Sequence, residues 1–358
     1  MDERAAMARA LDLAWRGWGR VQPNPLVGAV VLAADGTLAG EGWHAEFGAA
    51  HAEPTALAAA GDRARGGTLV VTLEPCAHFG KQPPCADAVL RAGIRRVVVA
   101  LADPNPVAQG GTARLREGGV EVETGLLADE ARAQNAGFLH RYRESGRPFV
   151  ALKLATSLDH RIADATGRSQ WLSGEEARAY VHWLRAGFDA IGVGAGTARA
   201  DDPSLTVRGE LQPRVRPRRV IVGPSARLPL ELKVVRTARE VPTFVLIDPS
   251  LPAERTAPLL EAGCRLLPSL RLGDGLSALY EAGVGTILFE GGGRLAGALL
   301  DAGLVDRYYW IQSPVWLGDA AVRATAGIGP RGLESVERWR PVERRALGAD
   351  TLLVLDRA

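Results

Sequence analysis

The chain is poor in cysteine, with 3 in 358 residues, and an odd count leaves no disulfide framework. In a reducing compartment such cysteines are metal ligands, catalytic groups or buried apolar filler. Aromatic residues are scarce at 6%, and the net charge is only +2. Nucleic-acid binding needs a basic face interleaved with aromatics, so no nucleic-acid partner is expected. No apolar run reaches the ~20 residues that span a bilayer. The first ten residues carry Asp2 and Glu3 and have no signal-peptide core. A cytoplasmic location, with no membrane partner, is therefore the expectation. Lysine is sparse beside arginine, which reads as compositional bias. Internal repeats and long low-complexity tracts are missing too. What remains, 47% apolar and 23% charged residues, is ordinary for a chain that buries real cores. The length fits two domains.

Apolar periodicity and punctuation give a coarse organisation. Residues 5–19 read as an amphipathic helix, followed by the turn Pro23-Asn24-Pro25. Strands are expected at 27–32, 68–73 and 95–101, with helices at 52–60 and 85–92. Gly146-Arg147-Pro148 marks a second start. Beyond it, strands are expected at 149–155, 189–194, 218–223, 242–247 and 285–290. A loop is expected at 156–170, and helices at 174–186, 253–262, 275–282 and 293–302. Strands alternating with helices give an α/β class in both parts. The boundary falls at 144–148, giving domains 1–145 and 146–358.

His51, Glu53, Cys76 and Cys85 are the strongest chemical signal. One imidazole and two thiolates are three ligands for zinc and leave the fourth tetrahedral position open to water. Bound zinc lowers the pKa of that water, and so supplies hydroxide near neutrality. Glu53 is not needed as a ligand and is free to shuttle protons. This is the ligand set of zinc deaminases, which replace an exocyclic amine on a heterocycle with oxygen. Pro54 suits the first turn of a helix, so His51 and Glu53 should open one. Cys76 follows a strand at the mouth of the next helix, where a thiolate is favoured. A closed structural zinc site with His78 as fourth ligand is the alternative.

In the second half, Thr286 to Phe289 runs into Glu290-Gly291-Gly292-Gly293-Arg294 and then a helix. Backbone N–H groups of such a turn suit a phosphate, though Gly-rich turns also serve plain structural needs. The pattern is not Gly-x-Gly-x-x-Gly, so a Rossmann fold is not indicated.

The two cysteines are separated by eight residues, in Pro75-Cys76-Ala77-His78-Phe79-Gly80-Lys81-Gln82-Pro83-Pro84-Cys85. With His51-Ala52-Glu53, Pro23-Asn24-Pro25 and Val27-Gly28, this resembles the bifunctional riboflavin-biosynthesis deaminase/reductase family. The resemblance continues through Lys153 to Asp159, Ser169-Gln170-Trp171, Ala200 to Arg208 and Phe289 to Arg294, and so covers nearly the whole chain. It implies a cytidine deaminase-like three-layer domain followed by a dihydrofolate reductase-like domain that uses NADPH. By the same resemblance Asn24, His44 and His78 contact the deaminase substrate. Ala155, Trp171, Thr197, Asp201, Ser225, Gly292, Gly293 and Arg294 contact NADPH. Ser169, Arg185, Leu205, Arg208 and Glu290 contact the reductase substrate, with Arg185 and Arg208 suited to a ribose 5′-phosphate. The implied substrate is a pyrimidine ribose phosphate that is first deaminated and then reduced from ribosyl to ribityl. Lys153 and Asp159 are candidate proton donors. The family usually has Gly where this chain has His160, so a positive φ and a reshaped pocket mouth are expected there. Cys264 belongs to no motif and reads as buried filler. A homo-oligomer is the expected assembly. The rivals are a nucleic-acid base deaminase, disfavoured by charge and aromatic content, and a binding protein that kept the zinc fold without turnover, disfavoured by Glu53.

Overall fold

The computed structural model describes residues 1–80, 82–334 and 336–357, so Lys81 of the cysteine motif lies outside the described residues. The chain divides into two units, Met1–Glu144 and Ser145–Ala358.

In the first unit α1 (Glu3–Ala14) starts where the Asp2 side chain accepts the Ala5 N–H at 2.7 Å. It ends earlier than the apolar pattern implies, in a short 3₁₀ turn over Trp15–Gly17. Then follow β1 (Gly28–Leu32), β2 (Leu38–Trp43), α2 (Ala52–Ala60), β3 (Thr68–Val71), α3 (Cys85–Arg91) and β4 (Arg96–Val99). The unit closes with α4 (Gly111–Glu117), β5 (Glu121–Thr124), α5 (Ala128–Gln134) and α6 (Ala136–His140). The sheet order is β2-β1-β3-β4-β5, with β1 antiparallel to β2 and β3, and β3, β4 and β5 parallel. Side chains alternate across its two faces. Ala29, Val31, Leu69, Val71, Val97 and Val99 pack on α2 and α3, while Val30, Leu32, Val70 and Val98 pack on α1. Burial on both faces explains why these strands read as continuous apolar runs. The strand β2 is an addition to the sequence reading. Its glycines weaken the strand signal but let α2 sit close, since a Cβ on Gly42 would lie 2.4 Å from the Ala52 carbonyl.

The second unit contains β6 (Phe149–Thr156), β7 (Arg161–Ala163), α7 (Glu175–Ala186), β8 (Ala190–Gly194), α8 (Ala195–Asp201), β9 (Arg218–Val222), α9 (Lys233–Arg236) and β10 (Thr243–Ile247). It continues with α10 (Ala253–Glu261), β11 (Arg265–Pro268), α11 (Leu272–Glu281), β12 (Thr286–Glu290), α12 (Gly293–Asp301) and β13 (Arg307–Gln312). Last come β14 (Val322–Arg323), β15 (Trp339–Leu347) and β16 (Asp350–Arg357). The main sheet runs β11-β10-β9-β8-β12-β6-β13-β16-β15, parallel from β11 to β13 and antiparallel through β16 and β15. One face packs on α11 and α12 through Leu152, Phe244 and Phe289; the other packs on α8, α9 and α10 through Ile191, Ile221 and Val245. Winding goes one way from β6 to β8 and the other way from β12 to β13. Such a switch point opens a crevice at the carboxyl ends of the strands. The segment expected as a loop over 156–170 contains β7, which pairs with β14. Cys264 is buried in the core and its thiol is pushed up to about 11 by burial, as filler should be.

Candidate active sites

His51 occupies the N-cap of α2 but makes no capping bond with its side chain. Its imidazole turns instead to the cysteines, with Nδ1 3.2 Å from Cys85 Sγ and 3.7 Å from Cys76 Sγ. All three donor atoms lie within 4.8 Å of one another. A tetrahedral zinc with ~2.3 Å bonds to sulfur and ~2.0 Å bonds to nitrogen needs ligand separations of about 3.5–3.8 Å. It is Cys85, not Cys76, that opens α3. The Cys85 N–H points at Cys76 Sγ across 3.4 Å, so Cys76 faces the helix start from a preceding loop. The hydrogen bond between the two sulfurs pulls the Cys76 thiol down to about 4 and pushes the Cys85 thiol up. Two sulfurs and an imidazole nitrogen converging in this way are a donor set that a divalent cation completes. Among the described residues the metal-capable group ends with these three. His78, the alternative fourth ligand, is not part of it.

Glu53, in the first turn of α2, is only 3% exposed, and burial pushes its carboxyl up to about 7. Beside it, His44 stands edge-on to His51 with ring centroids 5.3 Å apart. The His44 Nδ1–H donates to the Ala50 carbonyl at 3.1 Å, and Nε2 accepts from Asn24 Nδ2 at 3.1 Å. Burial holds this imidazole below its ordinary pKa, consistent with a neutral ring. Asn24, His44 and His51 thus form one contiguous wall. His78 is half-buried on the cysteine loop, and its Nδ1 has no partner among the described residues.

The second unit holds a crevice of about 1420 Å³ along the carboxyl ends of β6, β12, β8, β9, β10 and β11. Every cofactor and substrate candidate of the second half lines it. Ala155 comes from β6, Thr197 and Asp201 from α8, and Ser225 from the turn after β9. Glu290, Gly292, Gly293 and Arg294 come from the β12–α12 turn. Ser169 and Trp171 precede α7, Arg185 lies on α7, and Leu205 and Arg208 follow α8. Gly291 and Gly292 both have positive φ, and a Cβ on Gly292 would come within 2.7 Å of Thr197 Oγ1. The bare backbone therefore forms a cradle that fits a phosphate-bearing cofactor. Trp171 is 72% exposed, with the Arg178 guanidinium 4.8 Å over its ring.

Three expectations change. Arg185 does not present its fork to the crevice, because Nε and Nη2 bind the two Glu290 oxygens at 2.6 and 2.8 Å, and Nη1 donates to the Thr206 carbonyl at 2.9 Å. Asp159 is no proton donor. It accepts from Ser157 Oγ and from the Leu317 and Gly318 N–H groups, which hold its carboxyl down to about 2, and it does not line the crevice. His160 has the expected positive φ of 58°, but it stacks on Trp310 at 4.9 Å and is not among the crevice-lining residues.

Residues 1–101 match the family model described as cytidine and deoxycytidylate deaminase zinc-binding region, and residues 148–353 match the RibD C-terminal domain. The riboflavin biosynthesis protein RibD of Aquifex aeolicus is 39% identical over 357 residues, covering 98% of this chain and 97% of that protein. The chain belongs to the RibD family. A solved RibD structure from Acinetobacter baumannii, 36% identical, superposes with a TM-score of 0.83 and 99% coverage of both chains. The Thermotoga maritima diaminohydroxyphosphoribosylaminopyrimidine deaminase/5-amino-6-(5-phosphoribosylamino)uracil reductase gives 0.82 at 34% identity, again covering 99% of each chain. As a RibD protein, the chain is a bifunctional deaminase and reductase of riboflavin biosynthesis, with zinc and NADPH as cofactors. Its fold is the RibD pairing of a cytidine deaminase-like domain with a dihydrofolate reductase-like domain.

Sequence reasoning missed two residues in this RibD framework. Glu74 is buried and accepts from the Asp103, Gly110 and Thr112 N–H groups at 3.2, 3.2 and 2.9 Å, and from Thr112 Oγ1 at 2.8 Å. It thereby fastens the turn that carries Cys76 to the loop before α4. Its position two residues before a ligand was the only available signal. Arg178, the partner of Trp171, carried none.

Proposed function

We propose that residues 1–145 form the deaminase and residues 146–358 the reductase. They act in that order on 2,5-diamino-6-ribosylamino-4(3H)-pyrimidinone 5′-phosphate, a small-molecule pyrimidine ribose phosphate. The observation that carries this reading is the three-donor group His51, Cys76 and Cys85 beside the buried Glu53 carboxyl. The three residues hold zinc, which when bound activates a water molecule for attack on the ring carbon bearing the 2-amino group. Glu53 takes a proton from the water and delivers it to the departing amine, a task suited to a buried carboxyl in the first turn of α2 beside the ligand His51. Asn24, His44 and His78 hold the pyrimidine. Water adds, ammonia leaves, and the ring gains a carbonyl.

In the second unit Ala155, Trp171, Thr197, Asp201, Ser225, Gly292, Gly293 and Arg294 hold NADPH, which when bound supplies hydride for the ribosyl C1′. Ser169, Leu205, Arg208 and Glu290 hold the substrate. Arg208 is exposed, and among the described residues its guanidinium binds only Ser204 Oγ at 3.4 Å, which leaves donors for the 5′-phosphate. Arg185 acts through Glu290, which it orients. Lys153 lines the crevice with its ammonium destabilised by burial, which makes it the better of the two proton-donor candidates. A cytoplasmic location follows from the need to keep Cys76 and Cys85 reduced as ligands. A symmetric homo-oligomer is proposed on general grounds alone.

The test is an assay of the zinc-loaded protein that reads ammonia release and NADPH consumption together. Both signals, with NADPH loss lagging ammonia, are expected. Ammonia without NADPH loss would remove the reductase half of the proposal, and no ammonia would favour a zinc fold kept for binding.

A further inference from the structure

We propose that Arg199, together with the Ser225 hydroxyl, forms the anion subsite that makes the reductase unit choose NADPH over NADH. The inference rests on the cofactor reading above and adds the group that discriminates between the two dinucleotides.

NADPH and NADH differ only in a phosphate on the adenosine ribose. The discriminating group must therefore be a cation or hydrogen-bond donor at the adenosine end of the crevice. Which end that is follows from the reaction. Hydride passes to the substrate, so the nicotinamide lies beside Lys153 on β6, Glu290 at the end of β12, and Arg185, which grips Glu290. In sheet order the crevice continues from β6 through β12, β8 and β9 to β10 and β11. At ~4.8 Å per strand, Ser225 beyond β9 sits about 14 Å from β6 along the sheet. The glycine cradle at Gly291 and Gly292 lies between them, where it suits the pyrophosphate. The adenosine ribose then falls at the end of β9.

Three cations line this part of the crevice: Arg199, Lys233 and Arg271. Lys233 is already engaged, 3.4 Å from the Asp202 carboxylate and donating to its carbonyl at 3.2 Å. Arg271 lies past the edge strand, and the Asp274 carboxylate accepts its backbone N–H at 3.3 Å, which places a negative charge beside any anion there. Arg199 differs from both. It projects from α8, and its Nη1 donates to the Arg227 carbonyl at 2.8 Å. That carbonyl belongs to the turn carrying Ser225, two residues earlier, where Ala226 adopts a positive φ of 50°. One bond to a neutral acceptor ties the guanidinium to the turn that carries Ser225. Among the described residues no carboxylate comes within ion-pair distance of it. A guanidinium held in place, with donors left over and a hydroxyl on the turn that holds it, is built to receive a phosphate.

The experiment is equilibrium calorimetry on the full-length protein with three probes: NADP⁺, NAD⁺ and 2′,5′-ADP. Wild type is expected to prefer NADP⁺ and to bind 2′,5′-ADP. Arg199→Ala is expected to weaken NADP⁺ and 2′,5′-ADP by about 10- to 100-fold, the usual worth of a hydrogen bond to a charged group. NAD⁺ binding should stay within about threefold of wild type, since it makes no contact with the lost cation. Arg199→Lys should restore part of the preference, and Ser225→Ala should lose a smaller part of it. The proposal is overturned if Arg199→Ala weakens both dinucleotides alike, or if the preference survives it and disappears in Arg271→Ala. Wild type that binds neither dinucleotide overturns the cofactor reading and this inference with it, an outcome distinct from a misplaced subsite.

Discussion

Replacing Arg185 by methionine removes the partner of a largely buried carboxylate. Glu290 is 9% exposed, and both of its oxygens are bound by the Arg185 fork. Burial pushes its carboxyl up, but the guanidinium outweighs burial and holds it below the ordinary glutamate range. Breaking a buried pair by removing one member costs about 3–5 kcal/mol, because the remaining charge is uncompensated. For a unit of the size of Ser145–Ala358 each kcal/mol moves the melting midpoint by about 2–4 °C, so a fall of about 6–20 °C is expected. The double variant Arg185→Met with Glu290→Leu should regain most of that loss, since neither charge is then stranded. The pH dependence has a definite sign. A depressed carboxyl contributes stability that is full above its unfolded pKa and is lost as pH falls through the folded one. Wild type should therefore lose its advantage over the double variant on acidification below about pH 4. Calorimetric melting of the three proteins from pH 3 to 8 reads all of this. A drop under 2 °C in the single variant, or a double variant no better than the single, would refute the reasoning.

Glu53→Gln should retain one equivalent of zinc while ammonia release falls by about 10²–10⁴-fold, the usual contribution of a positioned proton carrier; normal turnover would remove the assigned role. His160→Gly should leave reductase kcat unchanged and shift stability by less than about 1 kcal/mol, because relief of a left-handed backbone is set against a lost stack on Trp310. A tenfold loss of reductase turnover would place His160 in the site after all. Cys264, raised to about 11 by burial, should be unreactive to a disulfide reagent in native protein at pH 8 and react fully on unfolding. Its contribution to stability is present below the ordinary thiol pKa and fades as pH rises through about 11.

The metal ligands and Glu53 were legible because their chemistry is local: His51 and Glu53 are two positions apart, and only eight residues separate Cys76 from Cys85. The parallel strands were legible because burial on both faces leaves uninterrupted apolar runs such as Val97 to Val99. Failures follow from long-range causes. The strand β2 hid because close approach of α2 demanded glycine at positions that a strand would otherwise fill with β-branched residues. The alternation in β13, Arg307 to Gln312, was visible and unread, while β15 carries an arginine-rich, largely exposed sequence with little apolar signal. Arg185 was read as a phosphate ligand because its partner lies 105 residues away, and spacing in sequence says nothing about a pair closed by the sheet. The same holds for Asp159, whose acceptors are filled by the backbone of residues 317 and 318.

The Glu74 knot also governs how the zinc centre is loaded. A carboxylate that ties three backbone amides and a hydroxyl fixes the Cys76 turn through interactions that do not involve the ion. Ala77 adds a fifth tether, its N–H donating to the Ala108 carbonyl at 3.1 Å. In small zinc modules the binding energy is the folding energy, and stripping the ion unravels the chain. Here the Cys76 turn carries hydrogen bonds of its own, so removal of the ion is expected to leave the unit folded and its uptake reversible, which far-UV circular dichroism before and after chelation would read.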